Sequence, residues 1–470
     1  MKPIKYSQDH SITPLSGEDL SVALSGHQNV LNDTLKEIKR DYGIFFTPEG
    51  IVDLMIGLID WERLKKIKDP LILEPACGLA QFLMGIKRNQ PELFNRAGLF
   101  GVEINQELIN YLKNLNLARN LELVKADYLL WQPGRTFDLV IGNPPYGIPG
   151  FSEHYPIKVD HPTKQKYKDN FETWYGKYNL YGAFIEKSIQ LLETDGQLLL
   201  IIPATFMILD DFKKLRKFLA QNGKTSIIYL GPDVFKPEAE VASSVLNFRK
   251  SAGSKPALQL LEYQDSRFQL IVENNRWQGE VIRFETDYTR KLEKTCSHLL
   301  NDLYEIRISP RTPEIKHSSL VIREKPLNKN GYLPILNGRN LRCKEIIYEN
   351  RTGYWIKKSE ADKLRAYFQV PHLVVGLGFR ENGKVAAAYD DQAYPWMGDV
   401  YHLFKKDDLF TAKFDLGQSE LLEYLNSDYL KRYIKEVYRE ITYHLSITQL
   451  KNIPVPGKKE WKKISNGAIE

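Results

Sequence analysis

The stretch LILEPACGLAQF, residues 71–82, has the pattern of a buried β-strand followed by a tight turn and a helix. The apolar run reaches an acid, Glu74, near its end, and Gly78 lies in the turn. A glycine there lets the backbone approach a ligand closely, and the amino end of the next helix favours polar or anionic groups. The same pattern also fits an ordinary turn between a strand and a helix, so its meaning depends on the rest of the chain.

From about Thr47 to Lys250, short β-branched runs alternate with segments that carry apolar residues at helical spacing. The predicted strands are LILEPA (71–76), LFGVEI (99–104), LELVKAD (121–127), FDLVIG (137–142), QLLLIIP (197–203), TSIIYLG (225–231) and SSVLNF (243–248). This alternation predicts a doubly wound, mostly parallel α/β sheet, with ligands beyond the carboxyl ends of the strands. No long helix separates the last two strands, so we expect them to be antiparallel.

Two regions interrupt this pattern. Residues 149–180 are expected to form a long loop, either functional or disordered, in which lysines are interleaved with aromatic residues. After roughly residue 280 the alternation ends, and an irregular region rich in Arg, Tyr, Pro and Trp follows. The sequence thus predicts an N-terminal extension at 1–40, an α/β domain at 41–280 and a second, mixed α/β domain at 281–470.

Composition limits the classes of protein to which the chain can belong. Its 470 residues are 43% hydrophobic and 26% charged, with a formal charge of +6, which is compatible with a polyanionic partner. The three cysteines, Cys77, Cys296 and Cys343, are far apart, which disfavours a disulfide framework or a structural metal site. The chain shows neither a signal peptide nor an apolar run that could span a bilayer, so we expect a cytoplasmic protein without a metal.

Acidic residues lie at the ends of three successive predicted strands. Besides Glu74, these are Glu103, placed to hold ribose hydroxyls, and Asp127, which could accept an exocyclic amine and is followed by Tyr128. Ala80 stands where GxGxxG would have its second glycine, and no GxxxxGK[ST] motif is present. An adenosine ligand without phosphates therefore fits this edge of the sheet better than NAD or a nucleoside triphosphate.

The fourth strand ends in Asn143-Pro144-Pro145-Tyr146, where few hydrogen-bond donors are present. Asn143 offers a side-chain carbonyl, and Pro144 offers a backbone carbonyl without an N–H group. Two such acceptors can grip an exocyclic amino group and localise the lone pair of a nitrogen that is otherwise a poor nucleophile. Tyr146 adds a ring on which a base can stack. A structural Pro-Pro turn beside a core tyrosine is the ordinary alternative. The position of the motif after three strands that end in acids favours a functional site instead.

These motifs, in this order, resemble those of the Taq-type (γ-class) N6-adenine DNA methyltransferases of restriction–modification systems over nearly the whole chain. The resemblance implies a Rossmann-like S-adenosylmethionine-dependent methyltransferase sheet and a C-terminal DNA target-recognition domain. The implied cofactor-binding residues are Thr47, Glu74, Ala76, Gly78, Glu103, Asp127, Tyr128 and Pro145. The implied catalytic residues are Asn143, Pro144, Tyr146 and Phe235. The implied DNA-binding residues of the second domain are Arg311, Arg339, Asn340 and Pro454.

The resemblance also implies the partners of the protein. They are duplex DNA with a short, palindromic target such as TCGA and a separate restriction endonuclease, and the chain itself would be a monomer. Three alternatives remain open from the sequence. They are an NPPY-type methyltransferase of protein glutamine or RNA, a non-catalytic DNA-specificity module, and a fused nuclease–methyltransferase, for which no PD…(D/E)xK pattern is evident.

Overall fold

The structure, a computed structural model, describes residues 47–467 apart from 153–154, 156, 238, 252, 254–255, 324–325, 327–328, 365–369, 380–382, 399 and 409–410. The chain divides into two compact units between Arg283 and Phe284. The boundary expected from the sequence, between residues 280 and 281, is close to this division. The N-terminal extension expected at 1–40 lies outside the described residues.

The first unit contains the elements that alternate in the sequence. Its strands are β1 (Leu71–Pro75), β2 (Gly98–Glu103), β3 (Leu121–Lys125), β4 (Phe137–Gly142), β5 (Pro149–Gly150), β6 (Ile157–Lys158), β7 (Leu192–Pro203), β8 (Gly223–Gly231), β9 (Ser243–Lys250), β10 (Ala257–Gln264) and β11 (Arg267–Asn274). Its helices are α1 (Glu49–Gly57), α2 (Trp61–Lys66), α3 (Gln81–Asn89), α4 (Pro91–Arg96), α5 (Gln106–Leu115), α6 (His161–Asn170), α7 (Leu180–Leu191) and α8 (Lys213–Asn222).

The described strands of this unit form a nine-stranded sheet with the order β11-β10-β8-β9-β7-β4-β1-β2-β3, and β5 and β6 pair separately. Strands β3, β2, β1, β4 and β7 are parallel to their neighbours in that series. Strand β9 lies antiparallel between β7 and β8, which confirms the antiparallel pair expected from the sequence. The seven predicted strands are all members of this sheet, and the doubly wound α/β class is confirmed.

The sheet extends further than the sequence analysis predicts. Strands β10 and β11 form an antiparallel hairpin at the edge of the sheet. Strand β10 of this hairpin pairs with β8 in the parallel direction. Its two turn residues, Asp265 and Ser266, have φ values of 50° and 59°, as a type I′ turn requires. This turn lacks the Asn-Gly or Asp-Gly pair that usually marks such a hairpin, which explains why the pattern does not reveal it.

The register of the central strands places the candidate residues at one edge. Glu74 pairs with Gly101 of β2, and Leu73 pairs with Val140 of β4. Every residue of β4 is buried, as expected for a parallel strand that is covered on both faces. The carboxyl ends of β1, β2 and β4 therefore meet, and the segments that follow them surround a common space.

The second unit has its own elements. Its strands are β12 (His298–Leu299), β13 (Tyr304–Ile308), β14 (Val321–Ile322), β15 (Tyr332–Pro334), β16 (Leu341–Arg342), β17 (Glu345–Ile346), β18 (Trp355–Lys357), β19 (His372–Gly376), β20 (Ala387–Asp390), β21 (Val400–Lys405) and β22 (Pro454–Val455). Its helices are α9 (Asp287–Thr295), α10 (Leu300–Leu303), α11 (Thr312–Lys316), α12 (Gln418–Leu425), α13 (Asp428–Tyr438), α14 (Ile447–Lys451) and α15 (Lys458–Ser465). The largest sheet formed by its described strands is antiparallel, with the order β13-β21-β19-β20. In the described part of the chain, no helix combines the length and the apolar character needed to cross a membrane.

A chain of buried hydrogen bonds crosses this antiparallel sheet. The Nδ1 atom of His372 lies 2.8 Å from the carbonyl oxygen of Val370, so Nδ1 carries the proton and Nε2 is an acceptor. His402 therefore donates from Nδ1 to Nε2 of His372 at 2.8 Å, and its own Nε2 accepts from the hydroxyl of Ser309 at 2.6 Å. Burial lowers the pKa of both histidines, so the folded unit keeps both rings neutral.

These histidines make stability depend on pH. The unfolded chain binds protons at His372 and His402 as the pH falls through about 6.5, whereas the folded state takes them up only at lower pH. We expect the free energy of unfolding of this unit to decrease from pH 6.5 to 5, by about 1.4 kcal/mol per pH unit for each proton. His402→Gln is expected to make this pH dependence shallower by about one proton in urea titrations.

The matched control is His317→Gln, which changes an exposed histidine of the same unit and should retain the slope of the wild-type protein. Equal slopes for the wild-type protein and for His402→Gln would contradict the role of the buried pair.

Candidate functional site

A cavity of about 140 Å³ opens at the carboxyl edge of the large sheet, beyond β1, β2 and β4. Most of the site residues that the sequence analysis assigns to the first domain line it: Thr47, Glu74, Ala76, Gly78, Glu103, Asp127, Tyr128, Asn143, Pro144 and Pro145. Tyr146 and Phe235 are not among the lining residues. The structure therefore brings the three strand-end acids and the start of the NPPY motif together in one cavity.

Glu74 connects this cavity to helix α3. Its carboxylate accepts hydrogen bonds from the backbone N–H groups of Phe82, at 3.3 Å, and Leu83, at 3.0 Å. The helix has no side-chain cap from its own N-cap residue, Ala80, so Glu74 satisfies donors that would otherwise be buried. Burial nevertheless raises the pKa of Glu74 to about 8, because desolvation of the carboxylate outweighs these two hydrogen bonds.

Glu103 fixes the turn between β1 and α3. It accepts hydrogen bonds from the N–H groups of Gly78, at 3.0 Å, and Asn105, at 2.9 Å, and burial raises its pKa. Gly78 has a φ of 52°, a left-handed conformation that glycine adopts at little cost. Ala80 has a φ of 56°, so the residue at the second glycine position of the motif adopts a conformation that glycine favours.

Asp127 and Tyr128 follow β3. The carboxylate of Asp127 accepts from the N–H group of Leu129 at 3.0 Å and from the hydroxyl of Tyr167 at 2.7 Å. The ring of Tyr128 is buried, 4.9 Å from the ring of Phe184, and its hydroxyl is within hydrogen-bond distance of Ser188. Both residues thus lie at the cavity in positions held by other side chains.

The NPPY motif divides between the cavity and the interior. The amide nitrogen of Asn143 donates to the hydroxyl of Thr47 at 3.1 Å. Tyr146 is buried and donates from its hydroxyl to the carbonyl of Ile201 at 2.9 Å. Its ring meets that of Phe235 edge to face, with centroids 6.0 Å apart, so the two aromatic residues assigned as catalytic are neighbours.

Some lining residues were missed by the sequence analysis. Gln81 holds Thr47 in place, because its amide oxygen accepts from the Thr47 N–H group at 3.2 Å and its amide nitrogen donates to the Thr47 carbonyl at 3.3 Å. Tyr167 and the residues from Ile157 to Val159 also line the cavity. They belong to the stretch expected to be a loop, in which the structure places the short strand pair β5–β6 and helix α6. The sequence signal that could have revealed α6 is Asp160, a typical N-cap residue. It caps the helix by accepting from the N–H group of Thr163 at 2.7 Å.

In the second unit, the structure separates the four assigned residues into two pairs. Arg311 and Arg339 are exposed, whereas Asn340 and Pro454 are buried. The amide nitrogen of Asn340 donates to the carbonyls of Ile347, at 2.6 Å, and Glu349, at 2.8 Å, and its amide oxygen accepts from the N–H group of Asn337 at 3.1 Å.

These contacts show what the two buried residues do within the protein. Asn340 uses both ends of its amide in internal hydrogen bonds, so it supports the loop that carries Arg339. Pro454 pairs with Leu299 in a small sheet, and its carbonyl accepts from the hydroxyl of Tyr424 at 2.6 Å.

Two family models match the chain, one in each unit. Residues 72–235 match the Eco57I restriction-modification methylase family, and residues 333–455 match the TaqI-like C-terminal specificity domain.

The cofactor of such a methylase is S-adenosylmethionine, and the chemistry of the cavity fits it. Carboxylates suit its ammonium group, its hydroxyls and its amine, and the cavity contains no cluster of basic side chains of the kind that phosphates require.

The relatives and solved structures agree with this assignment. The type II methyltransferase M.TthHB8I of Thermus thermophilus is 40% identical over 433 residues, which cover 91% of this chain and 94% of that protein. The modification methylase CviBIII of Paramecium bursaria Chlorella virus NC1A is 31% identical over 185 residues, or 39% of this chain and 44% of that protein.

Two solved structures share the fold over most of the chain. The type IIL restriction-modification enzyme MmeI, solved with DNA, aligns with a TM-score of 0.54 at 12% identity, covering 92% of this chain and 71% of that chain. The DrdV–DNA complex aligns with a TM-score of 0.53 at 15% identity, covering 94% and 58%. With its acid-lined cavity and its specificity domain, the chain belongs to the type II restriction–modification DNA methyltransferases, which take their methyl group from S-adenosylmethionine.

Proposed function

We propose that the protein is an adenine-specific DNA methyltransferase that modifies the N6 amino group of a flipped adenine in a short, palindromic site. The observation that carries the proposal is the position of Asn143 and Pro144, which line the same cavity as the three strand-end acids. A methyl donor held by those acids would lie beside two hydrogen-bond acceptors. Acceptors are the groups that an incoming amine needs.

The residues of the cavity can be assigned to the parts of the cofactor. Thr47, Glu74 and Ala76 would surround its methionine end, and Gly78 would allow the backbone to approach it closely. Glu103 would accept from the ribose hydroxyls, because each of its oxygens retains a lone pair beside its backbone hydrogen bond. Asp127 would accept from the adenine amine, with Tyr128 packed against the base and Pro145 facing the cofactor. When bound, S-adenosylmethionine supplies an electrophilic methyl group.

The chain itself would activate and orient the target amine. The side-chain carbonyl of Asn143 and the backbone carbonyl of Pro144 would accept the two N6 protons and localise the nitrogen lone pair. These hydrogen bonds strengthen as the nitrogen becomes positive, so they favour the transition state over the ground state. A strong base is unnecessary, because the amine attacks as a neutral group and releases its proton only after the new bond forms.

An adenine inside a duplex cannot reach this cavity, so we propose that it is flipped out, at a cost of a few kcal/mol. Tyr146 and Phe235, whose rings pack edge to face in the structure, would then separate to contact the two faces of the base. Exposed lysines and arginines of both units, including Arg311 and Arg339, would bind phosphates or base edges. The target would be palindromic and similar to TCGA, and a separate restriction endonuclease would share it. We place the enzyme in the cytoplasm, because its proposed substrate is cellular DNA. We also propose that it acts as a monomer.

We expect the affinity for S-adenosylhomocysteine, which keeps the cationic methionine end, to rise with pH. Glu74 in the free enzyme holds its proton up to about pH 8, and a bound ammonium group favours the carboxylate. Between pH 6 and 7.5 the association constant should therefore increase by about tenfold. Glu74→Gln, which cannot ionise, should give an almost flat profile in titration calorimetry. Parallel profiles for the two proteins would exclude Glu74 as the group that binds the ammonium.

Asn143→Ala should lower the rate of methyl transfer by at least about a hundredfold, because it removes an acceptor that acts at the reacting nitrogen. Its affinity for S-adenosylhomocysteine should change only a few-fold. Tritium transfer to DNA and calorimetry measure the two effects. The matched control is Asn222→Ala, which removes an amide that donates to the carbonyl of Phe218 on α8. Near-normal transfer by Asn143→Ala would contradict the catalytic assignment.

Phe235→Leu should reduce methyl transfer by about tenfold, since one stacking face for the flipped base is lost while the other remains. Cofactor affinity should be retained, because Phe235 is not among the residues that line the cavity. Phe248→Leu is the control, because it removes another buried aromatic ring from the same unit. An equal loss of activity in both variants would mean that Phe235 acts only through packing.

Single-molecule sequencing of DNA from cells that express the protein tests the function as a whole. We expect modified adenines at one position of a short palindrome, and none in cells that express Asn143→Ala. Unmodified DNA together with methylated protein glutamine or RNA would contradict the proposal.

A further inference from the structure

Helix α6 places a tyrosine hydroxyl on the carboxylate at the end of β3. Tyr167 is buried, lines the cavity and donates to Oδ2 of Asp127 at 2.7 Å. The two residues are 40 positions apart in sequence, so their contact depends on how the segment between β4 and α7 folds over the cavity.

The contacts of Asp127 fix the plane of its carboxylate. Its Oδ1 atom accepts from the N–H group of Leu129 at 3.0 Å, while Oδ2 accepts from Tyr167. Lys187, which is buried on α7, interacts electrostatically with the same carboxylate. With one donor on each oxygen, rotation of the carboxylate about its χ2 angle would break a hydrogen bond.

Tyr167 is itself held firmly in place. The centre of its ring lies 6.2 Å from that of Trp174. The residue before Trp174, Thr173, donates from its N–H group to the Glu186 carboxylate of α7 at 3.0 Å. Burial and the nearby Asp127 raise the pKa of Tyr167 far above its ordinary value. Its phenol therefore keeps its proton throughout the neutral range and remains a donor.

We propose that Tyr167 is the positioning residue that holds Asp127 as a hydrogen-bond acceptor, and that this pair selects a cofactor whose base carries an amino group over one whose base carries a carbonyl. The inference rests on the proposed contact between Asp127 and the cofactor adenine. An orientated carboxylate accepts from an exocyclic amine, whereas it repels a carbonyl oxygen at the same position. Without the hydroxyl of Tyr167 the carboxylate can rotate, and it then loses this preference.

The test compares two ligands that differ at this atom. S-adenosylhomocysteine carries the amine, and S-inosylhomocysteine carries a carbonyl oxygen in its place. We expect the wild-type protein to prefer the adenosyl compound by at least about a hundredfold, because a site built for a donor rejects its absence strongly. In Tyr167→Phe, which removes only the hydroxyl, this ratio of dissociation constants should fall by about tenfold. Calorimetry gives both constants without any turnover.

Tyr178→Phe is the matched control. It removes another buried hydroxyl of the same segment, which lies 2.6 Å from the hydroxyl of Thr173 and is not among the lining residues. This variant should keep the wild-type ratio even if it is less stable. Equal weakening of both ligands by Tyr167→Phe would overturn the inference, and so would a wild-type protein that binds both ligands equally well.

The fate of the inference can be separated from that of the proposed function. A wild-type protein that methylates adenine in DNA but keeps its ligand ratio in Tyr167→Phe overturns the role of Tyr167 alone. A wild-type protein that methylates another group but loses the ratio in Tyr167→Phe overturns the adenine target and supports Tyr167.

Discussion

The burial of carboxylates at one edge of a parallel sheet is the constraint on which the rest of this structure depends. Glu74 and Glu103 are removed from water, and burial raises the pKa of both despite two backbone hydrogen bonds to each. An edge of this kind is unfavourable when empty and is stabilised by a ligand that brings positive charge and hydrogen-bond donors. S-adenosylmethionine has both, so its chemistry complements that of this cavity.

The end of β4 complements this edge. In the proposed function the acids would hold a donor-rich cofactor, while Asn143 and Pro144, which line the same cavity, would present acceptors to a second donor-rich group. The connection from β4 to α7 begins at the NPPY motif and reaches Asp127 through Tyr167. One continuous segment therefore contributes to the proposed sites for the target amine and for the cofactor base, which gives a physical reason for its length.

Much of the first unit could be predicted from the sequence, because its strands are strongly apolar and its acids lie at or near the ends of the strands. The hairpin β10–β11 could not, since Asp265 and Ser266 adopt left-handed conformations without a glycine. Helix α6 was also missed, because its composition is polar and only one of its residues, Tyr167, is buried. In the second unit, residue type suggested that Asn340 binds DNA, but its burial and its bonds to backbone carbonyls could be recognised only in three dimensions.

The account makes one central claim, that acceptor groups at the end of β4 direct the methyl group to an amino nitrogen of adenine. Mass spectrometry of nucleosides from duplex DNA, methylated by the purified protein with labelled S-adenosylmethionine, measures this most directly. We predict that N6-methyldeoxyadenosine is the labelled nucleoside. Label in 5-methyldeoxycytidine would contradict the claim, because a ring carbon has no amine protons for Asn143 and Pro144 to accept, and label in N4-methyldeoxycytidine would contradict the choice of adenine.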